Sequence, residues 1–362
     1  MPKDVLFAPM AYARYEQSQT LPEKFDRLLA KSGLADRVKG KKVAIKMHVG
    51  DGTSYSTIPP IFVRKLVSFV KNAGGDCFLT DHYLYGRHPE NRGYTESGLG
   101  CPLLDDCGYL GKYYYEKAVS FKTFRHVDVA GLIHDADFLI DFSHVKGHGA
   151  CGFGGACKNI AMGCVTDRTR HEIHGLEGGI VWDKDKCVHC GKCLPACNHD
   201  ANEFDEHDVY QTNYHNCTLC QHCIKVCPAH ALSLDSHNYE DFQAGMALCT
   251  RTVLDTFDKD NVYFINVLTQ ITALCDCWGM TTPALVPDIG IMASESMVEL
   301  ERASLDAIRM EDLIPVGVPA GMKLGDSGHL FERLHGKNPY TQLEKLEAEG
   351  LGSQEYNLVT VK

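Results

Sequence analysis

Short apolar runs alternate with amphipathic stretches along the first part of the chain. Residues 5–8 and 43–48 read as strands, the second buried. Residues 22–31 read as a helix, with Pro22 in its first turn and Gly33 past its end. Residues 60–72 place Ile61, Phe62, Leu66, Val67 and Val70 at helical spacing before Gly74-Gly75 stops them. Residues 77–80 and 136–142 read as further strands, and 262–268 as a strong one. Helices are predicted at 242–257, 296–309 and 340–350, with a short strand near 356–360. This rhythm predicts an α/β fold with a mostly parallel sheet flanked by helices.

Between about 181 and 237 the texture changes to dense Cys, His, Asp and Asn. The α/β pattern stands on both sides, so this stretch reads as an insertion. The predicted organisation is an α/β domain in two parts, 1–180 and 238–362. A small α+β ferredoxin-like domain is inserted at 181–237.

The insertion carries the most specific motif. Cys187, Cys190, Cys193 and Cys197 form one C-x₂-C-x₂-C-x₃-C run; Cys217, Cys220, Cys223 and Cys227 form a second, thirty residues on. Three closely spaced thiolates wrap one iron–sulfur cube, and the fourth Cys of each run ligates the other cube. Cys187, Cys190, Cys193 and Cys227 are therefore assigned to one [4Fe–4S] cluster, and Cys217, Cys220, Cys223 and Cys197 to the other. Zinc suits CxxC pairs, but two complete runs favour two [4Fe–4S] clusters.

Composition narrows the remaining classes. The 362 residues carry a net charge of −11, which argues against nucleic acid as the main partner. No run of eighteen apolar residues predicts a membrane helix, and the first residues are too weakly apolar for a signal peptide. Together these predict a cytoplasmic location. The chain has 17 cysteines, and most of those outside the two runs are expected to be small buried hydrophobes.

A carrier needs only the Cys-rich part, so the surrounding mass implies a second site. Three stretches concentrate reactive groups: Lys46 and His48; His144, Lys146, His148 and Lys158 around a glycine-rich loop at 147–155; and Cys275-Asp276-Cys277. The first two fall at predicted strand ends, where parallel α/β sheets bind ligands. The loop could hold an anion at a helix start, although it completes neither a Walker loop nor a dinucleotide fingerprint. Lys146 and Lys158 are candidates for binding a carboxylate or phosphate. His48, His144 and His148 are candidate proton donors. On an extended segment Cys275 and Cys277 point to one side, where they could hold a soft metal. Cys151, Cys157 and Cys164 could join them around a further cluster, though no standard run supports it. His171 and His174 miss the zinc-protease spacing and read as surface or supporting residues. No motif demands flavin, which is not excluded.

The motifs Lys46-x-His48-x-Gly50, Leu79-Thr-Asp81, Ser143-His144-x-Lys146-Gly-His148, Gly152-Phe-Gly-Gly-x-x-Lys158-Asn159-x-x-Met162-Gly-Cys164, Cys275-Asp-Cys277 and Pro287-Asp288-Ile-Gly290 together resemble one family. This is the group of iron–sulfur proteins catalogued as domain of unknown function 362. The resemblance covers nearly the whole chain. It implies an α/β domain with an inserted two-cluster ferredoxin module, and no assigned activity. Where the family usually reads Ser-x-Asp-Pro-Val-Ala, this chain has Ser294-Glu-Ser-Met-Val-Glu299.

The leading expectation is a reductase of an anaerobe. Single electrons pass from a ferredoxin- or flavodoxin-type donor protein through the clusters to a small-molecule substrate or metal site in the α/β domain. The alternatives are an electron-transfer subunit docking on a larger redox enzyme, and a metal chaperone or assembly factor.

Overall fold

The computed structural model describes residues 2–197, 200–213, 217, 222–235, 238–319 and 322–361. Its apolar runs become strands, and the central ones are covered on both faces. Eight of them form one sheet: β1 (Lys3–Pro9), β2 (Lys42–Lys46), β3 (Asp76–Asp81), β4 (Leu103–Asp105), β5 (Phe138–His144), β6 (Val262–Leu268), β7 (Gly290–Ser294) and β8 (Tyr356–Thr360). Their spatial order is β8-β1-β7-β6-β5-β2-β3-β4. Only β7 runs antiparallel to its neighbours, so the sheet is mostly parallel, as the strand–helix rhythm predicts.

Alternate side chains of each strand feed opposite faces. Val43 and Ile45 meet Phe25, Leu28, Val63 and Leu66 of helices Leu21–Lys31 and Pro60–Asn72 on one face. Ala44 and Leu139 meet Ile160, Met246, Val253 and Leu300 on the other, from helices Ala156–Ala161, Tyr239–Leu254 and Met297–Asp306. Among the described residues, no helix is long and apolar enough to cross a membrane.

The segment between helices Asp167–Leu176 and Tyr239–Leu254 builds its own small structure. Ile180–Trp182 pairs antiparallel with Leu232–Leu234, and Asn202–Phe204 pairs antiparallel with Tyr210–Thr212. Ile180, Cys193, Tyr210, Cys223 and Leu232 form its buried core.

Two local expectations change. The glycine-rich stretch is a hairpin, Lys146–His148 against Gly152–Gly154, not an open loop. Residues 114–130, for which no element is predicted, form another hairpin, Tyr114–Phe121 against Phe124–Ala130.

Candidate active site

The chain runs from β2 outward to β3 and β4, then returns to the other side of β2 for β5 and β6. That reversal leaves a crevice at the carboxyl ends of the parallel strands, the usual ligand position in such sheets. A cavity of about 840 Å³ occupies this edge. Its wall includes Lys46 and His48 after β2, Asp81 at the end of β3, His144 at the end of β5, and His148, Lys158, Cys275, Asp276 and Cys277. The three reactive stretches therefore converge. Glu203, Asp205, Gln211, Thr212 and Asn213 of the cysteine-rich segment line the same cavity.

Asp81 organises one side. Its Oδ1 accepts from Lys46 Nζ at 2.9 Å and His82 N at 2.9 Å; its Oδ2 accepts from His48 Nδ1 at 3.0 Å and Val49 N at 3.1 Å. Four donors fill the carboxylate's capacity. Burial works against its charge, but Lys46, His48 and Arg87 outweigh that and hold Asp81 well below its usual range. Lys46 is buried, which disfavours its charge, yet Asp81 raises it on balance. Its Nζ also donates to Asn159 Oδ1 at 2.8 Å. Burial pushes His48 down to about 4 despite Asp81. The imidazole is thus neutral near pH 7, with Nδ1–H toward Asp81 and a buried Nε2 that has no partner among the described residues. His48 enters the cavity as an acceptor rather than the proton donor expected from its residue type.

Asp276 organises the opposite side. It accepts from Lys146 Nζ at 2.5 Å, Ser56 Oγ at 3.2 Å and His144 Nδ1 at 3.3 Å. Lys146 also donates to the Ser56 carbonyl at 3.1 Å and is buried behind the wall. It fixes Asp276 and does not face a ligand, contrary to the anion-binding expectation. His144 Nε2 lies 2.5 Å from the Thr269 carbonyl oxygen, so both its nitrogens face the wall rather than the cavity.

Cys275 is extended, but Asp276–Trp278 is a single 3₁₀ turn. This turn, not the expected extended segment, brings both sulfurs to one side, and they are joined in a disulfide. Gly147 makes the approach possible, because a Cβ there would lie 2.3 Å from the Ala273 carbonyl oxygen. Lys158 Nζ lies 3.6 Å from Cys275 Sγ and 3.5 Å from Cys277 Sγ. Burial lowers Lys158 to about 8. Among the described residues, Lys46, Arg87 and Arg170 on the wall each pair with a carboxylate, while Lys158 has none within ion-pair distance.

His148 Nε2 lies 3.6 Å from Cys277 Sγ. His148 Nδ1 accepts from the N–H groups of Ala150 and Cys151, each at 3.1 Å. Nδ1 therefore carries no proton, and Nε2–H is the neutral tautomer. His148 and the two sulfurs are close enough to share a metal ion. A metal-bound histidine, however, ordinarily donates from its other nitrogen, and here that nitrogen accepts. The disulfide also leaves neither sulfur as a thiolate ligand. Cys151, Cys157 and Cys164 form no ligand set with the pair among the described residues.

The start of helix Ala156–Ala161, where an anion is expected, is already occupied by a carboxyl group of the chain. Glu301 Oε1 accepts from Cys157 N at 2.9 Å. Burial raises Glu301 to about 8. A Cβ at Gly155 would lie 2.4 Å from Glu301 Oε2, so glycine leaves room for the carboxyl group there.

In the cysteine-rich segment, Cys187, Cys190, Cys193 and Cys227 line one small cavity. They are the four cysteines grouped by the spacing argument, and four thiols are the donor set a [4Fe–4S] cube takes. Ala201 N donates to Cys197 Sγ at 3.3 Å and Ala231 N to Cys227 Sγ at 3.3 Å. These are equivalent positions of the repeat, and such bonds tune a cluster's potential. Cys217 is half-buried and Cys223 buried, whereas Cys220 lies outside the described residues.

His82, Arg87, Asn159 and His171 also line the main cavity, although only Asn159 falls in a motif. Arg87 donates to Asp51 Oδ2 at 2.8 Å and to the His82 carbonyl at 3.0 Å. His82 Nδ1 is 3.1 Å from Asp106 Oδ1. No spacing in the sequence singles out His82 or Arg87.

A family model described as "Domain of unknown function (DUF362)" matches residues 43–306. A ferredoxin of Pyrobaculum islandicum is 37% identical over 54 residues, 15% of this chain and 50% of that protein. A ferredoxin of Methanothermococcus thermolithotrophicus is 33% identical over 55 residues, 15% of this chain and 92% of that protein. The chain thus carries a ferredoxin-like iron–sulfur segment, while it spans only half the length of the first of these relatives. The lactate racemase apoprotein from Thermoanaerobacterium thermosaccharolyticum aligns at a TM-score of 0.35 and 12% identity, covering 74% of this chain and 51% of the racemase.

Proposed function

The chain belongs to the family described as domain of unknown function DUF362, and we propose that it is an iron–sulfur reductase acting on a small molecule in the cavity at the carboxyl edge of the large sheet. The observation that carries this reading is the shared wall. The hairpin residues Glu203, Asp205 and Gln211 face the same space as Lys46, His48, Lys158 and the Cys275–Cys277 pair. A passive carrier has no need of such a space.

Cys187, Cys190, Cys193 and Cys227 would hold one [4Fe–4S] cluster, and Cys197, Cys217, Cys220 and Cys223 a second. When bound, the clusters supply single electrons from a ferredoxin- or flavodoxin-type donor protein. The α/β residues do the rest. Lys158, the wall cation without a carboxylate, attracts an anionic substrate group. His48 Nε2 accepts a hydrogen bond from the substrate, its ring oriented by Asp81. Lys46, itself held by Asn159, keeps Asp81 in place.

The test uses cluster-loaded protein, reduced anaerobically and mixed with a panel of small disulfides, enoates and ketones. Asn213→Trp narrows the cavity from the cysteine-rich side. At least one acceptor is expected to reoxidise the wild-type protein, and Asn213→Trp to slow this roughly tenfold or more. Reoxidation insensitive to Asn213→Trp would remove the cavity from the reaction.

A further inference from the structure

Building on that reading, we propose that Cys275 and Cys277 are a redox-active disulfide–dithiol pair that stores two electrons at the cavity wall, with Lys158 as its proton donor and His148 as the positioning donor to Cys277.

A structural role does not account for this disulfide. It links residues only two apart, so it removes very little chain entropy from the unfolded state. The turn it spans is already held by Lys146, Ser56 and His144 through Asp276. Most other cysteines outside the cluster runs are sealed in the core, whereas both sulfurs of this pair border the cavity.

The surroundings suit a thiolate. Thiolates are stabilised by nearby cations and hydrogen-bond donors. Lys158 is the uncompensated wall cation and contacts both sulfurs. The two backbone N–H groups on His148 Nδ1 fix Nε2–H toward Cys277. Giving that proton away would leave an imidazolate, so His148 donates a hydrogen bond and not a proton.

The step balances as follows. The sulfur–sulfur bond breaks on gaining two electrons, delivered singly by a low-potential one-electron donor that is oxidised twice. One proton moves from Lys158 Nζ to Cys275, giving a thiol. Cys277 remains as a thiolate facing His148 Nε2–H. Lys158 regains its proton from solvent. The pair thereby converts one-electron supply into a two-electron reductant.

The experiment titrates the cluster-loaded full chain with reduced methyl viologen under anaerobic conditions. Cluster reduction is followed by EPR, and cysteine alkylation by iodoacetamide is mapped by peptide mass spectrometry. Cys275 and Cys277 are expected to alkylate only after reduction. Wild type should take up two more electrons than the double variant Cys275→Ser/Cys277→Ser. Lys158→Met should slow alkylation of Cys277 roughly tenfold, and Lys158→Arg should restore most of the rate. Clusters that reduce while the pair stays unreactive, or equal electron uptake in both proteins, would overturn this proposal and leave the iron–sulfur reading intact. So would stoichiometric zinc, nickel or extra iron lost specifically in the double variant. Absence of any reducible cluster would overturn the underlying reading itself. The alkylation map of wild type needs no variant to fold.

Discussion

The cavity of the α/β frame and the cysteine-rich segment beside it are built on opposite principles. In the frame, both organising carboxylates are pinned by protein. Asp81 has four donors and Asp276 three, and both sit beside a sheet packed on two faces. In the cysteine-rich segment the buried core is Ile180, Cys193, Tyr210, Cys223 and Leu232, and two of those five are cluster cysteines. So small a core contributes little by itself, and on the proposed reading metal–thiolate bonds would complete it. The α/β wall of the cavity is therefore a property of the polypeptide. On the proposed reading, the shape of the cysteine-rich segment depends on the clusters it would hold.

Removing the iron gives the largest contrast. Chelation under anaerobic conditions should lower hydrogen-exchange protection in 181–235 by about a hundredfold or more, with β2, β5 and β6 nearly unchanged. Equal loss in both regions would dissolve the distinction. Next comes the frame's own electrostatics. Asp81→Asn leaves Lys46 buried without its counter-charge, which should cost roughly 3–5 kcal/mol in a denaturant titration. A loss below about 1 kcal/mol would mean the pair does not organise the wall.

A smaller effect is pH-dependent. Glu301 is raised from 4.5 to about 8 by burial. Its protonated form is favoured in the folded state, so its contribution is full below about 4.5 and is lost as pH rises toward 8. Stability should fall by on the order of 1 kcal/mol per pH unit across that window. Glu301→Gln should flatten the slope; an unchanged slope would clear Glu301 of the role. The smallest effect belongs to an exposed pair in the cysteine-rich segment. Lys186→Ala breaks its contact with Asp183 and should leave the melting temperature unchanged.

What the sequence reveals follows from how local each signal is. Helix Pro60–Asn72 has the bounds its periodicity predicts, and β6 the bounds of its apolar run. The cluster runs are equally local, because three of each cube's ligands are near neighbours in the chain. The cavity is another matter. Lys46 meets Asp81 and Asn159 across 35 and 113 residues, and Lys146 meets Asp276 across 130. Such partners become neighbours only through the order of β6, β5, β2 and β3. Residue type alone also misassigned roles. Lys146 is a buried brace, and His148 is held as a hydrogen-bond donor by two backbone amides. The glycine-rich stretch was legible as special but not as a hairpin, since its glycines serve close backbone approach at Gly147 and make room for Glu301 at Gly155.

The separation of electron inlet from reaction site can be measured in one protein. The double variant His48→Gln/Lys158→Ala is reconstituted anaerobically, analysed for iron, examined by EPR after reduction, and then mixed with an acceptor that reoxidises wild type. The account predicts about eight irons per chain and an unchanged cluster signal, as expected of two [4Fe–4S] cubes, with reoxidation at least about tenfold slower. An unchanged reoxidation rate, or a cluster signal lost with the cavity residues, would contradict it.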